Sequence, residues 1–321
     1  MPRTLITGGA GFIGSWLAES LLAEGDDVIV LDDLSTGRQA NLARIATHTR
    51  FTLVVGNACR DSTIAPLVAQ VDRVIHLAAT VGVQLVLNAS IQTIENTVMS
   101  TMSVLRAAAT HRRPVLITST SEVYGYADRM PFREDDTLFI GSPTVGRWSY
   151  SCAKLLDEFL AVAYSREYGL PIIITRLFNT IGPKQRGEYG MVLPRFISAA
   201  QMNEPLYVYG NGQQTRSFCD VRDVVAALIG LINFRYSNEI IVNIGNPEEI
   251  SILSLAERVI HVLNSRSVIE MKPYNLAYGV NLDSFEDIPR RLPDISKIHK
   301  MTGWQPKIDL NESIRFISAY M

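Results

Sequence analysis

Short apolar runs alternate with amphipathic stretches through the first half of the chain. The apolar runs, which predict buried strands, occupy residues 3–6, 28–31, 52–55, 74–77, 115–118 and 172–175. Between them, apolar residues recur at helical spacing over residues 15–23, 64–69, 90–111 and 150–168. This alternation predicts an α/β fold in which a doubly wound parallel sheet carries helices on both faces. Ligands in such sheets bind beyond the carboxyl ends of the strands, so we expect chemistry in the loops after residues 77, 118 and 177.

The turn after the first apolar run is rich in glycine and reads TGGAGFIG over residues 7–14. Gly8, Gly11 and Gly14 lead from the predicted strand into the predicted helix. Unpaired backbone N–H groups at a helix N-terminus, together with the positive end of the helix dipole, suit a pyrophosphate. Glycine is needed because a Cβ would block the approach of the backbone to the phosphate. The predicted pyrophosphate site therefore contains these glycines with Phe12 and Ile13.

A carboxylate follows the second apolar run where dinucleotide-binding folds use one. Asp32 lies 18 residues beyond Gly14, and Asp33 comes directly after it. A carboxylate at this point accepts hydrogen bonds from the adenosine ribose hydroxyls and repels a 2′-phosphate. We therefore expect a Rossmann-type domain that binds NAD in preference to NADP.

The pattern changes from about residue 182, where glycine and proline become frequent and the apolar segments shorten. We interpret this as a smaller C-terminal substrate-binding domain that is interleaved with the sheet domain. A helix at residues 221–234 and a strand at 240–243 are expected to return to the sheet. The predicted NAD-binding domain comprises residues 1–180 and about 219–246, and the predicted substrate-binding domain comprises about 181–218 and 247–321.

Tyr150 and Lys154 are spaced so that they share one face of a predicted helix. A free tyrosine has a pKa of about 10, which is too high for a base at neutral pH. A nearby ammonium and the positive charge of a nicotinamide both favour the phenolate and are expected to lower that pKa. Tyr150 is then expected to remove a proton from a sugar hydroxyl while hydride leaves the same carbon for NAD. Thr120, in the hydroxyl-rich stretch that begins at Thr118, is expected to hydrogen-bond the same oxygen.

Composition and charge narrow the possible partners. The net charge of −2 gives no basic footprint for nucleic acid, and no apolar run is long enough to span a bilayer. A strand begins almost at the N-terminus, so we expect no signal peptide. Cys59, Cys152 and Cys219 are dispersed, which matches neither a disulfide framework nor a zinc pattern. We therefore expect a cytoplasmic protein that binds no nucleic acid, membrane or metal.

Several stretches together resemble the extended short-chain dehydrogenase/reductases that act on nucleotide-diphosphate sugars. They are TGGAGFIG, HLAA at 76–79, TSEVYG at 120–125, the Tyr150-x-x-x-Lys154 pair and RLFN at 176–179. The stretch VYGNGQQTR at 208–216 is similar to the family's nucleotide-diphosphate clamp, and NIG at 243–245 and GWQPK at 303–307 are similar to its C-terminal landmarks. The resemblance covers nearly the whole chain. It implies a nucleotide-diphosphate sugar as substrate, with UDP as the expected nucleotide, in a domain that binds it.

The resemblance implies further site residues. The additional cofactor contacts that it implies are Asn57, Ala58, Leu77, Ala78, Ala79, Asn96 and Thr118, beside Tyr150 and Lys154. The implied substrate contacts are Val81, Asn179, Val192, Tyr209, Arg216 and Arg291. Relatives pair the helices at 90–111 and 150–168 into a four-helix bundle, so a homodimer is expected.

The loop Thr120-Ser121-Glu122 resembles the UDP-glucuronate decarboxylases, which include UDP-xylose synthases and the decarboxylase half of a bacterial polymyxin-resistance enzyme. The stretch RRLPD at 290–294 resembles the decarboxylase segment whose arginine reaches the active site, and Arg291 is the matching residue. The resemblance implies an NAD-dependent carboxy-lyase, with Thr120, Ser121, Glu122, Tyr150, Lys154 and Arg291 as catalytic residues. Oxidation at C4 would place a ketone β to the C5 carboxylate, and loss of CO2 would give UDP-xylose or a UDP-4-keto-pentose. Glu122 would orient the carboxylate or manage protonation at C5, and Arg291 would pair with the carboxylate or supply a proton through water.

A 4-epimerase of UDP-glucose or UDP-glucuronate remains the alternative. After HLAA the decarboxylases carry a tyrosine-bearing loop, whereas this chain has TVGVQL at 80–85, and Met191 stands where they have an arginine. An epimerase would return hydride to the other face of the 4-keto sugar without loss of carbon. A 4,6-dehydratase is disfavoured, because those enzymes carry a loop that resembles Thr-Asp-Glu where this chain has Thr120-Ser121-Glu122.

Overall fold

A parallel sheet forms the centre of the computed structural model, which describes residues 1–79, 90–127, 129–185, 191–234, 236, 239–273 and 288–321. Its seven strands are β1 (Arg3–Thr7), β2 (Asp27–Asp32), β3 (Phe51–Val55), β4 (Arg73–His76), β5 (Val115–Thr120), β6 (Ile172–Leu177) and β11 (Ile240–Ile244). The order across the sheet is β11-β6-β5-β4-β1-β2-β3, and all neighbours are parallel. The strand order reverses between β1 and β4, which is where doubly wound sheets open a ligand crevice. The predicted fold class is confirmed.

Side chains of the sheet alternate between two buried clusters. Leu5 and Ile6 of β1 belong to opposite clusters, and along β6 Ile173 lies opposite Ile172 and Ile174. Successive residues of a strand point to opposite faces, so each face of the sheet needs its own cover. The helices α1 (Phe12–Glu24) and α6 (Val221–Ile232) cover one face, and α2 (Asp61–Ala69), α3 (Ser90–His111) and α4 (Trp148–Tyr168) cover the other.

Two glycines bound the helix α1. Gly11 has extended backbone (φ −73°, ψ −175°), so the helix begins directly after it at Phe12, earlier than the pattern predicts. At the other end Gly25 is left-handed (φ 103°), and its N–H donates to the carbonyls of Leu21 and Leu22. No side chain caps the N-terminus of this helix. Its first-turn N–H groups, which lack partners within the helix, are thus directed at the crevice.

Shorter elements follow β6. They are β7 (Thr180–Ile181), α5 (Val192–Gln201), β8 (Leu206–Tyr209), β9 (Thr215–Ser217), β10 (Cys219–Asp220), β12 (Glu249–Ser251), α7 (Ile252–Leu263), β13 (Ile269–Lys272), α8 (Ser296–Thr302) and α9 (Leu310–Tyr320). A third buried cluster takes its members from residues 181–218 and 252–317. The division into two domains stays a prediction. The strand predicted at 240–243 is β11, which pairs with β6 in the sheet. Ile298 of α8 packs in the buried cluster beneath α1 and α6.

Within the ranges described, none of the helices combines the length and the apolar character needed to cross a bilayer.

Candidate active site

A cavity of about 520 Å³ opens at the carboxyl ends of the central strands, where the sequence predicts chemistry. Most of the predicted site residues line it. From the predicted cofactor and catalytic sets these are Gly8, Gly11, Phe12, Ile13, Gly14, Asp32, Asp33, Asn57, Ala58, Leu77, Ala78, Ala79, Asn96, Thr118, Thr120, Ser121, Glu122, Tyr150 and Arg291. From the predicted substrate set they are Asn179, Val192, Tyr209, Arg216 and again Arg291. Val81 lies outside the described residues.

The glycine-rich turn leaves no space for side chains. Gly8 has φ +73°, and a Cβ there would lie 2.7 Å from the backbone nitrogen of Ala78. A Cβ on Gly14 would lie 2.7 Å from the Cα of Gly9. The turn between β1 and α1 is therefore packed backbone against backbone, and the start of α1 lines the cavity. A pyrophosphate fits this cradle, because backbone N–H groups and the positive end of a helix bind anions.

Backbone hydrogen bonds hold the carboxylate of Asp32 in place. The N–H of Ala10 donates to its Oδ2 and the N–H of Leu34 donates to its Oδ1, each at 2.9 Å. Burial raises the pKa of Asp32, while these two N–H groups act to lower it. Each oxygen keeps a further lone pair for a ribose hydroxyl. The residues therefore fit the adenosine half of NAD.

The catalytic candidates at the end of β5 form a short 3-10 turn, Ser121–Tyr124. Thr120 begins the turn, and its Oγ1 accepts a hydrogen bond from the N–H of Glu122 at 3.3 Å. The carboxylate of Glu122 then reaches Arg291, whose Nη1 donates to Oε1 at 3.1 Å. The structure thus joins two predicted catalytic residues that are 169 positions apart.

Tyr150 lines the cavity from the first turn of α4, but Lys154 lies behind it. The side chain of Lys154 is 2% exposed, and its Nζ donates to Asp157 Oδ2 at 2.7 Å. Burial raises the pKa of Tyr150, and the charges of Glu122 and Asp157 raise it further. The expected lowering of this pKa is therefore wrong for the protein alone, because burial, followed by the charges of Glu122 and Asp157, raises it.

Buried polar contacts support the catalytic elements from below. His76, at the end of β4, contacts Thr7 Oγ1 through Nδ1 at 2.7 Å and Thr101 Oγ1 through Nε2 at 3.1 Å. Burial, with the charge of Lys154, lowers the pKa of His76 to about 3. This histidine is consequently neutral, and it ties β1 and β4 to α3.

A second buried contact ties α4 to the strands beside it. Arg176 of β6 binds Glu158 of α4 with Nη2 at 2.8 Å from Oε2, and Ser119 of β5 donates to the same carboxylate. Because Ser119 directly precedes Thr120, this contact fixes the end of β5 relative to the helix that carries Tyr150.

The predicted substrate residues Asn179, Tyr209 and Arg216 also line the cavity. Asn179 donates from Nδ2 to the carbonyl of Ser217 at 2.9 Å, and the buried Arg216 donates from Nη1 to the carbonyl of Thr215 at 2.7 Å. The guanidinium of Arg195 lies 4.6 Å from the centre of the Tyr209 ring. Such a combination of guanidinium groups and an aromatic ring suits a nucleoside diphosphate.

Three cationic side chains that line the cavity were not predicted: Arg147, Lys184 and Arg195. Arg147 Nη2 lies 3.7 Å from Glu122 Oε2, and Lys184 Nζ donates to Glu19 Oε1 at 2.6 Å. The position of Arg147 one helical turn before Tyr150 is a signal that could have found it. Lys184 and Arg195 carry no comparable spacing to a predicted catalytic residue.

Comparison with known proteins gives consistent matches along the chain. Residues 5–317 match the family described as GDP-mannose 4,6 dehydratase. The chain is 38% identical over 314 residues to UDP-N-acetyl-alpha-D-glucosaminuronate decarboxylase of Bacillus cytotoxicus, covering 98% of this chain and 95% of that protein. It is 36% identical over 320 residues to UDP-glucuronic acid decarboxylase 1 of Arabidopsis thaliana, covering 99% and 69%. Among solved structures, the UDP-glucuronic acid 4-epimerase of Bacillus cereus in complex with UDP-glucuronic acid and NAD matches with a TM-score of 0.87 and 26% identity, over 99% of this chain and 98% of that one.

Proposed function

This chain belongs to the GDP-mannose 4,6-dehydratase family, and from that premise we propose that it is an NAD-dependent decarboxylase of UDP-glucuronate. The product would be UDP-xylose or a UDP-4-keto-pentose. Two relatives that are named as decarboxylases of UDP-linked uronates match this chain along nearly its whole length. The family as such does not decide between loss of water, epimerisation and loss of CO2, so the choice depends on the site.

The contact between Glu122 and Arg291 carries the proposal. It places a carboxylate and a guanidinium 3.1 Å apart in the cavity that Tyr150 and Thr120 also line. Oxidation and reduction at C4 alone, as in an epimerase, need a base such as Tyr150 and a partner for the same oxygen. A further acid–base group is needed when a carboxylate is lost and a ring carbon must be reprotonated. Glu122 supplies this group, and the guanidinium of Arg291 holds it in place.

The oxidation step uses Tyr150 and Thr120. Bound NAD would supply the acceptor for the hydride of C4. Tyr150 takes the proton of the C4 hydroxyl, and Thr120 hydrogen-bonds that oxygen as it becomes a carbonyl. Because burial and two carboxylates raise the pKa of Tyr150 in the protein alone, proton removal depends on positive charge brought close to the phenol.

Loss of CO2 then follows from the position of the new ketone. The bond between C5 and the carboxylate breaks, CO2 leaves, and the electron pair becomes an enolate over C5, C4 and the C4 oxygen. A proton must next reach C5. Glu122 is the acid–base group that we assign to this proton, and Arg291 holds the carboxyl group of Glu122 toward the cavity. The C4 ketone is either reduced again or leaves with the product.

A second uronate is also a candidate substrate. The relative from Bacillus cytotoxicus is named for UDP-N-acetyl-α-D-glucosaminuronate, which carries the same C5 carboxylate with an acetamido group on C2. The chemistry at C4 and C5 is identical for the two sugars. We therefore infer from the Glu122–Arg291 contact that the substrate is a UDP-linked uronate. We place UDP-glucuronate first because the Arabidopsis relative is named as a decarboxylase of that sugar.

A homodimer is the quaternary structure that we propose. Large apolar side chains project outward from α3 and α4, with Ile91 76% and Phe159 66% exposed, and Ile94, Met99 and Leu156 are exposed as well. Two such faces related by a two-fold axis would cover each other in a four-helix bundle. The cytoplasmic location stays a prediction.

The direct test is incubation of the purified protein with NAD and UDP-glucuronate. We expect release of CO2, with no release by Tyr150→Phe. The nucleotide sugar should be lighter by one CO2 if UDP-xylose forms, or by CO2 and two hydrogen atoms, with reduction of NAD, if the UDP-4-keto-pentose is released. A product of unchanged mass that is a C4 isomer of the substrate would instead establish the 4-epimerase. UDP-N-acetyl-glucosaminuronate, assayed in parallel, ranks the two uronates by kcat/KM.

A further inference from the structure

Two guanidinium groups flank one carboxylate in the cavity. Arg291 Nη1 lies 3.1 Å from Glu122 Oε1, and Arg147 Nη2 lies 3.7 Å from Glu122 Oε2. Both arginine side chains are largely buried, with 11% and 9% of their surface exposed. The proposed reaction assigns roles to Glu122 and Arg291, whereas Arg147 has no role in the steps described above.

Arg147 stands in a fixed relationship to Tyr150. It directly precedes α4 and already has helical backbone (φ −57°, ψ −31°), so it lies one turn before the tyrosine on the same face. Side chains at this spacing have Cβ atoms about 5–6 Å apart. In a uronate, the C4 hydroxyl and the C5 carboxylate are on adjacent ring carbons. A sugar whose C4 hydroxyl meets Tyr150 therefore has its C5 substituent within reach of Arg147.

The start of α4 is held firmly by the residue after Arg147. Trp148 is 1% exposed and packs with Val145 and Ile288. Its ring lies under the guanidinium of Arg147, 5.2 Å from centroid to Cζ. Stacking of this kind restricts the guanidinium before a ligand arrives, which lowers the entropy cost of binding.

The guanidinium of Arg147 can pair with a second anion as well as with Glu122. Its Nη2 forms an ion pair with Glu122 Oε2 at 3.7 Å, longer than a hydrogen bond, and Arg147 lines the cavity. A guanidinium has five N–H donors in a planar fork, so Arg147 can bind another carboxylate while keeping its present contacts. A neutral hydroxymethyl group at C5 offers no charged bidentate acceptor.

From this geometry we infer that Arg147 is a specificity-determining residue that binds the C5 carboxylate of the sugar and selects uronates over neutral hexoses. The inference rests on the proposed function for the identity of the sugar. It assigns the carboxylate of the substrate to Arg147 and leaves Arg291 with Glu122.

The test measures binding without turnover. UDP-glucuronate and UDP-glucose, which differ in the C5 substituent, are titrated by calorimetry into the NAD-loaded Tyr150→Phe protein and into the same protein with Arg147→Met or Arg147→Lys. We expect Arg147→Met to weaken UDP-glucuronate binding about 10- to 100-fold, as for loss of a charged hydrogen bond, and to change UDP-glucose binding less than about twofold. Arg147→Lys should retain part of the preference. Arg166→Met, at the exposed far end of α4, is the matched control.

The outcomes separate this inference from the proposed function. Equal weakening of both sugars would show a structural role for Arg147, and unchanged preference would show no role, so either result overturns the inference. The proposed function fails independently, if the unmodified protein releases no CO2 from UDP-glucuronate. Selective loss of uronate binding in Arg147→Met supports the inference even then, because binding is measured without decarboxylation.

Discussion

The ammonium of Lys154 lies 2.7 Å from the carboxylate of Asp157, with 2% and 0% of the two side chains exposed. The pair occupies one face of α4, three residues apart, below the cavity that Tyr150 lines. Asp157 thus competes with Tyr150 for the electrostatic effect of the lysine. Its negative charge contributes to the raised pKa of the tyrosine, after burial and Glu122. Asp157 is therefore a positioning residue for Lys154.

Asp157→Asn tests this relationship through the pH profile. Removal of the negative charge lowers the pKa of Tyr150, so the phenolate forms at lower pH. The acidic limb of the kcat profile should move to lower pH by up to about 1 unit. The variant should also melt earlier, because loss of one partner from a buried ion pair costs about 3–5 kcal/mol. A lower melting temperature with an unmoved acidic limb would show that Asp157 is structural alone.

Asp32 should decide the preference for NAD. Its carboxylate is oriented by the N–H groups of Ala10 and Leu34. Asp32→Ala should weaken NAD binding by about 1.5–3 kcal/mol, the range for hydrogen bonds to a charged group, and relax the discrimination against NADP. Fluorescence titration with both dinucleotides measures the ratio. If the variant keeps the NAD preference of the unmodified protein, a residue other than Asp32 contacts the adenosine ribose and determines that preference.

Gly14 should not tolerate a methyl group. Alanine there would bring its Cβ within 2.7 Å of the Cα of Gly9, so the turn that faces the pyrophosphate must shift. We expect Gly14→Ala to lose most NAD affinity. Gly230 of α6 is the matched control, since a Cβ there would meet nothing closer than 3.7 Å. Gly230→Ala should bind NAD normally and gain up to about 1 kcal/mol in stability, because alanine favours helix. Equal NAD binding by the two variants would contradict this account of the turn.

The sheet was predictable because strands buried on both faces require nearly continuous apolar runs. The apolar pattern predicts β5 only to residue 118, whereas the strand continues to Thr120. The pattern misses the end of the strand because its last residues are polar and line the cavity. Glu122 and Arg291 were each assigned to the site by resemblance to known enzymes. Their contact was not predicted, since nothing in the spacing brings residues 169 positions apart together.

The electrostatics beneath Tyr150 could not be predicted. The spacing of Lys154 and Asp157 is equally common for a solvated surface pair, and burial is a property of the fold. The contact between Arg147 and Glu122 could not be predicted either, because it depends on how the loop after β5 meets the start of α4. Patterns in the sequence thus identify the catalytic side chains, whereas the three-dimensional packing determines their pKa values and their contacts.

The apolar face of α3 and α4 should form the dimer interface. Light scattering is expected to give a dimer at micromolar concentration. Phe159→Arg places a charge on a residue that is 66% exposed in the single chain and should yield monomers, since an isologous contact would bury it twice. Tyr320→Arg, at an exposed aromatic residue of α9, is the control and should leave the mass unchanged. A monomeric unmodified protein would refute the proposed assembly.

Glu122→Gln should separate decarboxylation from hydride transfer. The substitution keeps the shape of the side chain and a hydrogen-bond acceptor for Arg291, but it removes the charge and the acid–base function. Turnover of UDP-glucuronate should fall by about 10²–10⁴, the usual contribution of a positioned acid or base. NAD affinity should be unchanged, because Glu122 lies at the end of β5 and the adenosine half is held near Asp32. Glu257→Gln on the exposed side of α7 serves as the control. In a 4-epimerase no carbon–carbon bond breaks and C5 needs no proton, so full activity of Glu122→Gln with exchange of C4 isomers would overturn the decarboxylase assignment.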